Sequence, residues 1–383
     1  MLKFNFEAFV SYKTIYMRNL ILGFTLLILA SGCSGDKKKS PGSLPESIGG
    51  EYGITVVVDR ETTDKPHVLA LQNALQRPYP MLNQPEPWFK LTWYNADEIN
   101  KYTLKSRYVI LLSSCEPGNK VSSIAEDIFG EKAGNMPDVN GKFYLTGSHA
   151  FANPQSIMYL SHNSIDELAE SIDDYADAIL KYFDDKESKR ISDGLFEYRR
   201  KTNLEAAIRD EVKAGMLIPT VYEAAVLPFN DDNLKVIYNR IGIDAFKWLY
   251  SDARHSFSNI AVWSMPYTDS SQLKLANLIK VRDSTLKYFI PCEDEGSYMG
   301  TETRYEEYYP SIRQIELNGN YAYEIKGLWA AVKGFQGGPF IQYVVVDEKN
   351  GRLVFADGSV AAKGQDKKKY MVRIKAILST LKL

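Results

Sequence analysis

Few side chains in this chain are spaced for chemistry. The four histidines, His67, His149, His162 and His255, fall into no HxH, HxxxH or HExxH spacing that would aim two imidazoles at one ion. With no CxxC pair either, a zinc site would have to be assembled from distant residues, and no metal site is expected. A serine hydrolase of the α/β type would show a G-x-S-x-G elbow, which is missing. Ser297, between Gly296 and Tyr298, is the serine to test as a nucleophile, although shaping a turn is its simpler role. Cys115 follows the apolar run Val109 to Leu112 with no histidine nearby in sequence, so packing is its default role, because reactive thiols need electropositive, accessible surroundings. Phosphate binding calls for a glycine-rich turn at a helix N-terminus, whereas the first strand-to-helix turn reads Asp59-Arg60-Glu61-Thr62-Thr63-Asp64, with three acids and no glycine. Catalytic residues and cofactors are therefore left unassigned.

Two groups invite other roles. Glu293-Asp294-Glu295 leads into Tyr298, Glu302, Arg304, Tyr305, Glu306, Glu307, Tyr308 and Tyr309, a long connection without a clean period. A phenol offers a flat apolar face and a hydrogen-bonding tip, so Tyr298, Glu302, Arg304, Tyr305, Tyr308 and Tyr309 are expected to form a ligand or partner surface. Arg282 breaks the apolar stripe Leu275, Ile279, Leu286 and Phe289. If buried, its guanidinium must meet a carboxylate, for which Glu324 is the candidate; otherwise its stem snorkels to the surface. Either role is structural. Asp173-Asp174 and Asp184-Asp185 fall on the polar side of a helix and read as solvated charge.

The elements that would position these residues follow two grammars. From Gly53 the chain alternates strand and helix: a β-branched run Ile54 to Val58, a helix capped by Asp64 with Pro66 in its first turn, and a strand Phe89 to Tyr94. A short helix capped by Asn95 and Glu98 follows, then strands at Tyr108 to Leu112, Phe143 to Leu145 and Ile157 to Leu160. One long helix starts at Ser164 and carries Ile165, Leu168, Ile172, Tyr175, Ile179 and Phe183 on one side, and another runs from Gly194 to Ala214. The second half holds a strand at Ile260 to Trp263, a helix from Asp269 to Phe289, hairpins at Asn318-Gly319 and Asn350-Gly351, and a closing helix with Met371, Ile374 and Ile377 on one side. The expected class is α+β: an N-terminal α/β unit, residues 51–214, followed by a mainly antiparallel sheet packed with helices, residues 215–383.

The start of the chain suggests an address. Leu20 to Ala30 is an apolar run of about a dozen residues behind Arg18, the size of a signal-peptide core and shorter than the roughly 20 residues that cross a bilayer. Ala30-Ser31-Gly32-Cys33 resembles the bacterial lipobox, which implies a signal peptide over residues 1–32 and lipidation of Cys33. Met17 makes a better start than Met1, since residues 1–16 carry Glu7 and scattered aromatics. Acyl chains contribute about 0.8 kcal/mol per buried methylene and would hold the protein on the membrane; an uncleaved anchor would do the same. Residues 33–50, with Pro41, Gly42, Pro45, Gly49 and Gly50, read as a flexible tether. Ser34 stands where an aspartate would favour inner-membrane retention, so the resemblance implies the outer membrane, and Lys37-Lys38-Lys39 lacks the acidic signature of surface-exported lipoproteins, which implies its periplasmic face. In that oxidising compartment Cys115 and Cys292 have two options, a bridge or two separately buried thiols.

With 46 basic against 48 acidic residues, nucleic acid is an unsuitable partner. The 383 residues suffice for two domains, and 45% hydrophobic content is too apolar for disorder. Met265-Pro266-Tyr267-Thr268-Asp269, Arg282-Asp283-Ser284, Glu295-Gly296-Ser297-Tyr298-Met299, Glu324-Ile325-Lys326-Gly327-Leu328-Trp329 and Gly337-Gly338-Pro339-Phe340, with Gln84-Pro85-Glu86-Pro87, resemble the domain of unknown function 4837 (DUF4837) lipoproteins of Bacteroidota-type bacteria over most of the mature chain. The second half is also similar in layout to PsbP/Mog1-like domains. DUF4837 carries no established activity. The expected function is a lipid-anchored, non-enzymatic binding or assembly factor with an envelope protein or glycan as partner; the alternatives are an enzyme on cell-wall glycan or peptide, and a small-molecule carrier.

Overall fold

The computed structural model describes residues 44–59, 65–197 and 199–383. Cys33, the expected signal segment, the expected cap Asp64 and most of the expected tether lie outside the described residues. The end of that tether is not free: Ile48 pairs with Lys105 and Arg107 through its own N–H and C=O, at 3.0 and 2.8 Å, and Asn153 donates its N–H to the Pro45 carbonyl at 2.9 Å.

Among the described residues the first half forms one sheet in the order β2-β1-β3-β5-β4. Its strands are β1 (Gly53–Val58), β2 (Lys90–Asn95), β3 (Tyr108–Leu112), β4 (Tyr144–Ser148) and β5 (Ser156–Leu160), parallel except for the edge strand β4. The central strands are buried on both faces, which explains their unbroken apolar runs. Ile54, Val56, Ile110 and Leu112 face helices α1 (Pro66–Gln76), α3 (Ile165–Asp174) and α4 (Ala176–Phe196). Val57, Val109 and Leu111 face Val121 and Ala125 of α2 (Lys120–Phe129).

The second half forms an antiparallel sheet in the order β10-β11-β12-β13-β8-β7-β6, with β9 also paired to β11. The strands are β6 (Glu223–Ala224), β7 (Ala245–Ala253), β8 (Ser256–Pro266), β9 (Tyr298–Thr301), β10 (Ser311–Leu317), β11 (Asn320–Val332), β12 (Gly337–Asp347) and β13 (Arg352–Ala361). Helices α5 (Thr202–Val212) and α8 (Lys368–Leu378) cover one face, and α6 (Asp231–Ile241) and α7 (Leu275–Phe289) the other. The class is thus α+β, an α/β sheet followed by an antiparallel one, and residues 44–383 make one compact unit.

Several local expectations shift. Asn95 ends β2, and Ala96 to Glu98 is a turn closed by the Glu98 N–H on the Asn95 carbonyl at 2.9 Å, so no helix forms there. The long helix from Ser164 breaks at Tyr175, where ψ rises to 13°, and its ring packs on Phe143 at 5.4 Å. The helix expected from Gly194 to Ala214 is α5 alone, because α4 stops at Phe196. Asp269 and Gln272 cap a 3-10 turn, Ser270–Leu273, and α7 starts after it. The connection after Glu293 contains β9, which pairs with β11. At Asn318-Gly319 both residues take positive φ, 50° and 84°, the backbone that a two-residue hairpin between twisted strands needs.

Glu187 of α4 ties the first half together. It is fully buried and accepts the Tyr52 N–H and the Tyr108 hydroxyl at 3.0 Å, and Arg190 through two N–H groups at 2.8 Å. Burial alone would push this carboxyl up, but Arg190 and the Tyr52 N–H outweigh it and hold it below its ordinary value. The folded state then binds fewer protons than the unfolded state near pH 4.5, so the contribution is complete above that pH and is lost as pH falls through the folded value. Glu187→Gln is expected to cost about 1.5–3 kcal/mol at pH 7 and to lose less stability on acidification than the wild type. Urea unfolding from pH 7 to 3 checks this, and parallel pH profiles for the two proteins would refute it.

Candidate functional site

Helix α8 crosses between the two halves, and a cleft of about 250 Å3 opens beside it. Its aromatic wall comes from the first half. After α1, Arg77-Pro78 stops the helix, and the chain folds back so that the Tyr79 N–H meets the Glu86 carbonyl at 2.7 Å. This clasp sets Tyr79 against Trp88 with ring centres 4.9 Å apart. Asp184 of α4 fixes the wall by accepting the Trp88 indole N–H at 3.1 Å and the Tyr52 hydroxyl at 3.2 Å. Burial pushes the Tyr79 phenol up, as do the nearby Asp184 and Glu324 carboxylates. Among the described residues its hydroxyl has no hydrogen-bond partner.

The charged side of the cleft comes from β11 and α8. Glu324, 2% exposed, receives Arg313 at 2.6 Å, Lys326 at 2.9 Å and the Tyr343 hydroxyl at 3.1 Å. Burial would raise this carboxyl, and the two cations outweigh it and lower it. Burial lowers Lys326, against the pull of Glu324, and Lys375 and Arg313 push in the same direction as burial. Lys375, one α-turn after Met371 on α8, lines the cleft without an ion-pair or hydrogen-bond partner among the described residues.

The same segment anchors α8. Glu86 accepts the Lys367 N–H at 2.6 Å and the Lys368 N–H at 3.2 Å, which satisfies free donors at the helix start. The Lys368 ammonium reaches the Pro87 carbonyl at 2.7 Å and lies 4.4 Å from the centre of the Tyr52 ring; burial pulls it down to about 8. Gln84-Pro85-Glu86-Pro87 thus seats the helix that borders the cleft.

The residues singled out in sequence fall elsewhere. Tyr305, Tyr308 and Tyr309 are exposed, with Tyr305 and Tyr308 edge to face at 6.2 Å and Arg304 over Tyr305 at 5.7 Å. Glu302 is buried and engaged by the Arg304 N–H at 2.8 Å and its guanidinium, which lowers its carboxyl. Tyr298 opens β9 beneath Lys287, at 4.6 Å. Ser297 donates to the Asp294 carbonyl at 2.6 Å and shapes that turn. Cys115 and Cys292 are unbridged; burial pushes the first thiol up and the second to about 11. His67 is buried without a partner and burial lowers it to about 4, while His162 meets Glu167 at 2.7 Å. At the carboxyl ends of β1 and β3, Asp59 accepts the Ser114 and Val121 N–H groups at 3.1 Å, so an internal carboxylate sits at the start of α2. Among the described residues no three His, Cys, Asp or Glu side chains converge as a metal site would require, and no helix is long and apolar enough to cross a membrane.

Residues 230–380 match the domain of unknown function DUF4837. Residues 47–196 match a different one, DUF8532, so the DUF4837 resemblance covers the second half and Gln84-Pro85-Glu86-Pro87 falls outside it. The two matches coincide with the two sheets. Among solved structures the chain is similar to a mutant of the protein Mog1, at 12% identity over 44% of this chain and 89% of that one, with a TM-score of 0.26. It is also similar to LpqN of Mycobacterium tuberculosis, titled as involved in cell envelope biogenesis, at 11% identity over 44% and 83%, with a TM-score of 0.25. No curated protein matches the chain.

In the DUF4837 half, Arg282 is 1% exposed and its partner is Asp357 of β13, not Glu324. Nε meets Asp357 at 2.7 Å, Nη1 meets the Thr301 hydroxyl at 3.1 Å, and the guanidinium lies 3.8 Å from the centre of the Phe340 ring. Burial pushes the Asp357 carboxyl up and Arg282 opposes that push. Glu324 points to the opposite face of the sheet, where Arg313 and Lys326 take it. An acid inside the apolar run Val354 to Val360 was the sequence signal for the true partner. Arg282→Met should cost about 3–5 kcal/mol by leaving Asp357 unpaired, and adding Asp357→Leu should recover most of it. Guanidinium unfolding of both variants measures this; a double variant no better than the single one would contradict it.

Proposed function

We propose that this protein is a lipid-anchored, non-enzymatic binding protein of the cell envelope, held by Cys33 on the periplasmic face of the outer membrane, with its binding site in the cleft beside α8. The observation that carries the proposal is the cleft itself. It combines aromatic faces, Tyr79 and Trp88, with hydrogen-bonding groups that the fold leaves unused, the Tyr79 hydroxyl and the Lys375 ammonium. Pockets for small ligands are concave, mainly apolar and carry a few polar groups that fix orientation. Two of the groups an enzyme of the Glu293 to Glu307 connection could use are engaged locally: Glu302 with Arg304, and Ser297 with the Asp294 carbonyl. The lipobox-like Ala30 to Cys33 supplies the address and the segment ahead of Leu44 the tether.

Two measurements test the proposal. Mass spectrometry of the mature protein is expected to find Cys33 at its N-terminus carrying acyl chains, and an unmodified thiol there would remove the anchor. Native mass spectrometry of protein gently extracted from its own envelope is expected to find a retained small molecule that Tyr79→Ala releases. Retention unaffected by that substitution would place binding outside the cleft.

A further inference from the structure

We infer that the cleft takes a small organic anion with a flat apolar body, its charge held between Lys326 and Lys375 and its body against Tyr79 and Trp88. The inference rests on the cleft being the binding site and adds the class of ligand.

Charge bookkeeping around the cleft points to an anion. Three cations, Arg313, Lys326 and Lys375, surround Glu324, and two of them already bond it. The other acid on the wall, Asp184, bonds the neutral donors of Trp88 and Tyr52 and keeps its charge, so three positive groups face two negative ones. Lys189, at the mouth, is paired with Asp193 at 2.8 Å. That leaves one ammonium in surplus on a partly enclosed surface, next to a lysine whose own charge is already disfavoured by burial. An anionic oxygen placed between the two ammonium groups would form charge-assisted hydrogen bonds with both.

Size narrows the class. A volume of about 250 Å3 lies just below the usual span of drug-sized pockets. One or two rings fit within it. The Tyr79 and Trp88 rings, 4.9 Å apart and tilted, offer stacking faces, and the free Tyr79 hydroxyl offers one further hydrogen bond.

The test is calorimetric titration of the chain from Ser34 onward, which holds the whole compact unit, with three probes: 1-naphthalenesulfonate, neutral 1-naphthalenemethanol and inorganic phosphate. The sulfonate is expected to bind one per chain, more tightly than either other probe. Lys375→Gln should weaken it about tenfold, as loss of one charge-assisted bond implies, and Lys375→Arg should keep it within about threefold. Lys375 is partly exposed, so these variants leave the fold intact; circular dichroism verifies this. Tyr79→Ala should weaken both ring compounds and leave phosphate unchanged. Equal binding of sulfonate and alcohol, both indifferent to Lys375→Gln but weakened by Tyr79→Ala, would overturn the anionic class and leave the cleft as an apolar site. Phosphate binding as tightly as the sulfonate would overturn the flat body. If no ring compound binds, or Tyr79→Ala changes nothing, the cleft itself is lost as the site.

Discussion

The arrangement depends on one helix serving two cores at once. Val372 of α8 packs with the first half, whereas Ile374, Ile377 and Leu378 pack against the antiparallel sheet. Such a helix must approach one sheet closely and be held in rotation. Gly358 allows the approach: a Cβ there would stand 2.2 Å from the Ile374 side chain. Glu86 fixes the rotation, because its carboxylate meets the first two N–H groups of α8 and is itself held in a segment bracketed by prolines. With the contact lines fixed on opposite sides of α8, the surfaces flanking it cannot also close on each other. The cleft is the space left between them.

Charge inside the body follows a consistent rule. Glu187, Glu324 and Asp357 are each almost fully buried, and each meets a guanidinium plus at least one neutral donor. These are the conditions under which a buried carboxylate is tolerable. Lys375 is an exception of opposite sign, a cation beside a cluster that is already neutralised. Exceptions of that kind tend to mark places where something else completes the chemistry, since a purely structural position would be served as well by glutamine or leucine.

Much of the fold was legible because its strands are written in residues with one physical meaning. The runs Ile54 to Val58, Tyr108 to Leu112 and Tyr343 to Val346 are too short and too uniformly apolar for an amphipathic helix, and Asn318-Gly319 fixes its hairpin through positive φ. Helix breaks were not legible. Nothing in the side-chain period distinguishes Tyr175 from its neighbours, although its backbone leaves the helix there and its ring meets Phe143. The Arg282 pairing failed for a related reason. Choosing Glu324 over Asp357 needed the face of β11 that α7 covers, and alternation along a strand gives two faces without saying which is which. The cleft was invisible, because Tyr52, Tyr79, Asp184, Lys326 and Lys375 are brought together only by the crossing of α8.

The position of the tether adds a geometric constraint on what such a cleft could meet. Leu44 to Gly50 is pinned to the first sheet through Pro45 and Ile48, so any anchor at Cys33 acts on that half of the body. Between Cys33 and Leu44 a fully extended chain reaches at most about 40 Å. A surface that had to grip a distant partner would be poorly served by so short a reach. A recess for a small molecule suffers no such penalty, because the ligand diffuses to it.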